Sequence, residues 1–153
     1  MNSPPAHSRS IEVLLAEDND NDVELTRIGF RESRLKIELR HVENGAQCLA
    51  YLRREPPYAG ARFPDLLLLD LNMPVMNGFA VLTAIAADEG LRHLPVVILT
   101  TSEAEADILQ SYRLRASSYI VKPVDFDQFS RVIQRITDYW FTIVALPGDA
   151  IKR

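Results

Sequence analysis

The amino-acid sequence predicts an α/β fold, a doubly wound sheet of five parallel strands with helices on both faces. Two observations carry the prediction. From Ile11 onward, short apolar runs alternate strictly with longer amphipathic ones, a rhythm that implies right-handed crossovers between parallel strands. Three of the short runs, IEVLLA (11–16), DLLLLD (65–70) and PVVILT (95–100), are apolar with polar turns at their ends. Strands covered on both faces read that way.

The elements follow in order. MNSPPAHSRS (1–10) lacks an apolar segment and reads as a disordered tail, not a signal peptide. After the first strand, residues 20–32 set Val23, Leu25, Ile28 and Phe30 among charges and predict a helix. KIELRHV (36–42) alternates, with Ile37 and Leu39 against Lys36, Glu38 and Arg40, which places it at a sheet edge. A helix is expected over 44–54, then an exposed Pro- and Gly-rich loop, REPPYAGARFP (54–64). Asn77-Gly78 precedes a helix over 78–88, and Ser102-Glu103-Ala104-Glu105 reads as a capping box opening a helix with Ile108, Leu109 and Tyr112. SYIVK (118–122) supplies a second edge strand. Asp125 can cap a final helix whose stripe is Phe126, Phe129, Ile133, Ile136 and Trp140. One domain over 11–140 results, with no internal repeat.

Beyond that stripe, 141–153 begins with the apolar residues Phe141, Ile143, Val144 and Leu146 before Pro147-Gly148. An exposed apolar run is adhesive, so it is expected to pack, either on its own domain or as the arm of a C₂ homodimer. The homodimer is the favoured expectation.

Composition narrows the function classes. Of 153 residues, 47% are hydrophobic and 25% charged, ordinary globular values that exclude disorder. The single cysteine, Cys48, can form no internal bridge, which fits a reducing, cytoplasmic setting, and it reads as a small apolar helix residue. A net charge of −4 argues against nucleic acid, and the absence of a run of 18 apolar residues argues against a membrane span.

The chemistry gathers at strand ends. Glu17 and Asp18 follow the first strand, Asp70 ends the third, Thr100 the fourth and Lys122 the fifth. The carboxyl edge of an open parallel sheet is where ligands bind. Three converging carboxylates repel one another, and hard oxygen donors without nearby His or Cys favour Mg²⁺, or the similar Mn²⁺. A calcium loop starting at Asp18 fails, because Val23 and Gly29 stand where Gly and Glu are required. Within LLAEDNDNDVE (14–24), Glu17 and Asp18 are therefore assigned to the ion. Asn19 or Asp20 is assigned to the helix cap, with Asp22 and Glu24 in a first turn that favours negative charge.

Four stretches in this order resemble the receiver domains of two-component response regulators: LLAEDN, LLLLDLNMPVMNG, VVILTTS and YIVKP. With the alternating pattern they cover 11–140. The resemblance implies a flavodoxin-like strand order 2-1-3-4-5. It implies Asp70 as phosphoacceptor for a histidine kinase, with Lys122 and Thr100 contacting the phosphoryl group and Tyr119 as the switch. It implies Mg²⁺ held by Asp18 and Asp70, by Glu17 through water and by the backbone carbonyl of Asn72. The acid pair here is Glu-Asp where Asp-Asp is common, and Val124 replaces a larger residue. No DNA-binding segment follows, which points away from direct transcription control. The long link before the third strand and the ending DYWFTIVALP resemble regulators paired with bacterial and cyanobacterial phytochromes, implying a phytochrome kinase as partner. Receivers also associate through helix 4, strand 5 and helix 5, the same direction as the expected dimer.

Three rivals meet specific obstacles. A haloacid-dehalogenase-type phosphatase needs an acid two residues after its nucleophile, where Asn72 stands. A flavin module needs a phosphate loop where Glu17 and Asp18 would repel phosphate. A phosphorelay donor needs a helical histidine, whereas His7, His41 and His93 fall in a tail, an edge strand and a turn, and read as ordinary surface.

Overall fold

The computed structural model describes residues 10–143 together with Leu146 and Pro147. The expected tail, apart from Ser10, lies outside the described residues, as do 144–145 and 148–153.

Five strands form one parallel sheet in the order β2-β1-β3-β4-β5: β1 (Ile11–Ala16), β2 (Ile37–Val42), β3 (Leu66–Leu69), β4 (Val96–Thr100) and β5 (Ser118–Val121). The alternating β2 and the short β5 occupy the edges, as their half-polar sequences require. Helices α1 (Asp20–Arg31), α2 (Gly45–Leu52), α3 (Gly78–Ala87) and α4 (Glu105–Arg113) make the crossovers, and α5 (Phe126–Asp138) follows the last strand.

The pleat sorts the core into two layers. Val13, Leu15, Leu66, Leu68 and Val97 meet Phe30 of α1 and Phe129 and Ile133 of α5. Leu14, Leu67, Leu69 and Ile98 meet Cys48 and Leu52 of α2 and Val81 and Ile85 of α3. Gly29 is forced by this packing, since a Cβ there would lie 2.7 Å from Ile133. Cys48 is wholly buried and desolvation pushes its thiol up to about 12, which makes it an inert apolar filler.

Four sequence expectations need correction. The capping box at 102–105 does not form. The N-cap of α4 is Ala104, without a side-chain cap, and the Ser102 hydroxyl donates to Asp107 at 2.6 Å. Phe126 does not join the α5 stripe; it sits at the helix start and is 52% exposed. The loop over 54–64 is not simply exposed, because Tyr58, Ala61 and Phe63 pack on the α2–α3 layer. Most consequentially, Phe141 and Leu146 are covered by the chain's own α1–α5 layer, at 0% and 1% exposure. After α5 the backbone takes a π-helical turn, Tyr139–Ile143, which turns Phe141 inward. Phe141 and Leu146 of the apolar ending that suggested an arm are part of the packed domain, and the boundary at 140 separates them from it.

Candidate functional site

Strand register delivers the acidic residues to one place. The Asp70 N–H donates to the Ala16 carbonyl at 3.1 Å, and the Glu17 N–H to the Val42 carbonyl at 3.0 Å. The ends of β3, β1 and β2 are thereby laced together. One carboxylate oxygen each from Glu17, Asp18 and Asp70 falls within a 4.8 Å spread. Glu17 and Asp70 are buried and Asp18 is exposed, so the cluster has a protein floor and an open mouth.

The loop after Asp70 is locked from below by two glycines. A Cβ on Gly78 would lie 2.5 Å from the Asp70 carbonyl oxygen, and one on Gly45 would lie 2.5 Å from the Met76 carbonyl oxygen. Between them Val75 holds a φ of 68°, a left-handed conformation that β-branched residues rarely adopt, and is 83% exposed. Asn77 caps α3, its side chain accepting from the Ala80 N–H at 3.0 Å. Asn72 is exposed on this loop.

Lys122 reaches the cluster from beyond β5. Its backbone N–H donates to the Thr100 carbonyl at 2.7 Å, and its side chain is 5% exposed. Its Nζ lies 2.5 Å from Glu17 Oε1, 2.8 Å from Asp22 Oδ2 and 3.5 Å from Asp70 Oδ2. Burial alone would lower the ammonium's pKa, but the Asp22 hydrogen bond and the charges of Asp70 and Glu17 outweigh it, and the net shift is upward. Glu17 also moves upward, which for a carboxylate disfavours the charged form. Burial, with the neighbouring Asp70 charge, raises it to about 7 against the lowering pull of Lys122. Three carboxylates thus share one ammonium, with Asp18 beside Glu17 and Asp70, a surplus of negative charge in a partly buried place. That donor set is oxygen only, which fits a hard divalent cation and excludes a zinc-type site.

Thr100 ends β4 with a fully buried side chain, and its Oγ1 has no hydrogen-bond partner among the described residues. A buried hydroxyl without a partner costs free energy and marks a place where an acceptor belongs. Two residues on, the Ser102 carbonyl accepts from the Tyr119 hydroxyl at 2.9 Å, and desolvation keeps that phenol neutral by raising its pKa.

The structure thus brings Glu17, Asp18 and Asp70 into one cluster and Lys122 onto Glu17 and Asp70, with Thr100 at the end of the strand next to β3. The division of the 14–24 stretch needs one revision. Asn19 is the N-cap, its side chain accepting from the Asp22 N–H at 3.0 Å. Asp22, however, does more than favour the helix terminus, since its carboxylate binds Lys122. Sequence reasoning also missed His41, whose Nε2–H donates to the Glu17 carbonyl at 2.7 Å. It is not ordinary surface. The one signal for it was register, since β2 places His41 beside Leu15.

The family profile of the response regulator receiver domain matches residues 13–134. The chain is 34% identical over 136 residues to the response regulator Rcp1 of Synechocystis, covering 89% of this chain and 92% of that one. The crystal structure of the phosphorylated cyanobacterial phytochrome response regulator RcpA superposes with a TM-score of 0.88 at 38% identity, covering 91% of this chain and 99% of that one. The Mn²⁺-bound form of Rcp1 gives a TM-score of 0.85 at 34% identity, covering 90% and 99%. With its five-stranded 2-1-3-4-5 sheet and its acidic cluster at the carboxyl edge, this chain belongs to the response regulator receiver domain family.

Proposed function

We propose that this protein is a response regulator of the phytochrome-linked kind, which takes a phosphoryl group onto Asp70 from the phosphohistidine of a sensor histidine kinase. The observation that carries the reading is the meeting of Asp70 with Glu17, Asp18 and Lys122 at one sheet edge, beside the unpartnered Thr100 hydroxyl. Similarity to RcpA and Rcp1 along nearly the whole chain supports light as the signal and a phytochrome as the kinase.

An Asp70 oxygen attacks phosphorus, the P–N bond breaks, and its electron pair returns to the histidine ring. Aspartate is a weak nucleophile, so positioning and charge neutralisation carry the rate. Asp18 and Asp70, with Glu17 through water and the Asn72 carbonyl, would hold Mg²⁺ or Mn²⁺, which when bound neutralises phosphoryl oxygens. The Lys122 ammonium pairs with one phosphoryl oxygen and the Thr100 hydroxyl donates to another. The pull on Thr100 is coupled through the β4–α4 link to Tyr119, the switch residue, because Ser102 of that link holds its hydroxyl. The protein acts as a signalling switch in the cytoplasm whose chemistry is limited to its own phosphorylation and dephosphorylation. Among the described residues no helix is long and apolar enough to cross a membrane. The phosphatase reading finds no second acid, since Asn72 can donate no proton to a leaving group.

A C₂ homodimer through α4, β5 and α5 belongs to the same reading. Leu109, Tyr112 and Tyr139 are 55%, 49% and 55% exposed on that face. Beside them Ile120, Val132, Ile136 and Trp140 line a groove of about 420 Å³. The dimer rests on this face, since Phe141 and Leu146 are already covered.

The test is phosphotransfer from a set of autophosphorylated histidine kinases, including a phytochrome, to the wild-type chain and to Asp70→Asn. Fast labelling by the phytochrome and none of the variant is expected. Undiminished labelling of Asp70→Asn would remove the assignment, and preference for another kinase would remove the light signal only.

A further inference from the structure

Among the described residues, Asp22 is the one carboxylate on Lys122 that does not belong to the three-residue metal cluster. It comes from the first turn of α1, where its backbone N–H is already held by the Asn19 side chain, so its position is set by the helix cap. Its hydrogen bond to Nζ, at 2.8 Å, is much shorter than the 3.5 Å separation between Nζ and Asp70. An ammonium has three N–H donors, and Glu17 and Asp22 take two of them at hydrogen-bond distance. Lys122 therefore leans away from the phosphoacceptor.

We propose that Asp22 is a positioning residue for Lys122: it anchors the ammonium beside the site, in competition with Asp70, and gives it up when Asp70 carries a phosphoryl group. The inference rests on the phosphoacceptor reading and deepens it. A phosphoryl group adds negative charge on the Asp70 side and draws the ammonium toward it. Every fraction of the Lys122–Asp22 bond that must break opposes that movement. Asp22 thus sets how readily the phosphorylated state is reached. The same anchor has a second use. When a divalent cation engages Glu17 and Asp70, their hold on the ammonium weakens, and Asp22 is the contact that keeps Lys122 from being expelled.

The experiment compares wild type with Asp22→Asn, Asp22→Glu and Asp20→Asn, all as full-length protein whose folding is checked by thermal melting. Asp20 is exposed, belongs to the same helical turn and has the same charge, so Asp20→Asn carries any general loss at the α1 terminus. Two quantities are read by NMR: the ¹⁵Nζ signal of the Lys122 ammonium with Mg²⁺ alone, and half-saturation with beryllofluoride, a phosphoryl mimic, at fixed Mg²⁺.

With Mg²⁺ alone, the Lys122 ammonium signal should persist in wild type and Asp20→Asn and be lost to solvent exchange in Asp22→Asn. Beryllofluoride should half-saturate Asp22→Asn at roughly three- to tenfold lower concentration than wild type, the range expected for removing one partly exposed competing ion pair. Asp22→Glu should return both readings toward wild type. Equal shifts for Asp22→Asn and Asp20→Asn, or an unchanged ammonium signal in Asp22→Asn, would overturn the proposal. Failure of wild type to bind beryllofluoride while the ammonium signal still depends on Asp22 would overturn the phosphoacceptor reading and leave the anchor itself demonstrated.

Discussion

Strand β1 carries a buried glutamate near each end, and the two live in opposite electrostatic circumstances. Glu12, 4% exposed at the amino end, faces guanidinium groups of Arg40 and Arg62, each 3.7 Å from one of its oxygens. Glu17, 2% exposed just past the carboxyl end, shares the single Lys122 ammonium with Asp70 and Asp22 and has Asp18 beside it. Cationic charge at Glu12 is sufficient, in an open pocket of about 600 Å³ that Tyr51, Tyr58 and the 54–64 loop help to line. At Glu17 it is deficient. Burial is nearly equal, so burial is not what separates a structural carboxylate from a functional one. The local sum of charges separates them, and a deficit is what a cation or a phosphoryl-transfer step can use.

The largest expected effect tests that deficit directly. Chelating divalent metal should abolish phosphorylation by a small-molecule donor such as acetyl phosphate. Asp18→Ala should weaken Mg²⁺ binding by roughly 10–100-fold or more, whereas Asp20→Ala, outside the cluster, should change it little. Titration calorimetry decides the matter, and equal losses would mean that the cluster is not the metal site.

Lys122→Ala should come next. Under the proposed role, in which its charge partners phosphoryl oxygen, the variant should retain Mg²⁺ binding yet lose the conformational change that follows phosphorylation. Amide chemical shifts around Tyr119, with and without beryllofluoride, supply the reading. Wild-type shifts in the variant would show that Lys122 is only a counter-charge in the resting state.

The pH dependence of the metal-free protein sharpens the same contrast. Glu17 titrates near 7 when folded and at about 4.5 as a free side chain, so the folded state holds its proton longer. Stability from this group is therefore full below about 4.5, falls as pH rises toward about 7, and is level above that. Mg²⁺ binding must displace the proton, so affinity should climb with pH to about 7 and then flatten. Denaturant midpoints with and without Mg²⁺ across that window are the check, and stability rising with pH in the metal-free protein would refute the charge deficit.

The smallest effect is a comparison of isosteres in metal-free protein at pH 8. Glu12→Gln should destabilise by about 1 kcal/mol, a modest loss because Arg40 and Arg62 are half-exposed and screened. Glu17→Gln removes a charge repelled by Asp70 and should cost less, or stabilise. The reverse order would place the structural carboxylate at the wrong end of β1.

How much was legible in the sequence follows from what each kind of signal encodes. The parallel sheet was legible because IEVLLA, DLLLLD and PVVILT are runs whose burial on both faces depends on local composition. The edge position of β2 was legible from its alternation for the same reason. Glu17, Asp18, Asp70, Thr100 and Lys122 were legible because strand direction alone sends the residue after each run to one edge.

Tertiary structure alone decided the rest. The Asp22–Lys122 bond joins residues 100 apart and depends on how the Lys122 side chain reaches from the end of β5 to the first turn of α1, which neither periodicity nor a cap signal specifies. The His41–Glu17 bond, across 24 residues, depends on the β1–β2 register. The apolar ending read as an arm for a partner because a helical stripe has no place for Phe141. One π-helical turn goes with that side chain's entry into the domain's own core beside Phe30 and Phe129, and no local pattern specifies such a turn. Local pattern determined which residues seek burial and which gather at the strand ends. Packing determined whose carboxylate holds the one ammonium, because that choice is a matter of ångströms between segments distant in sequence.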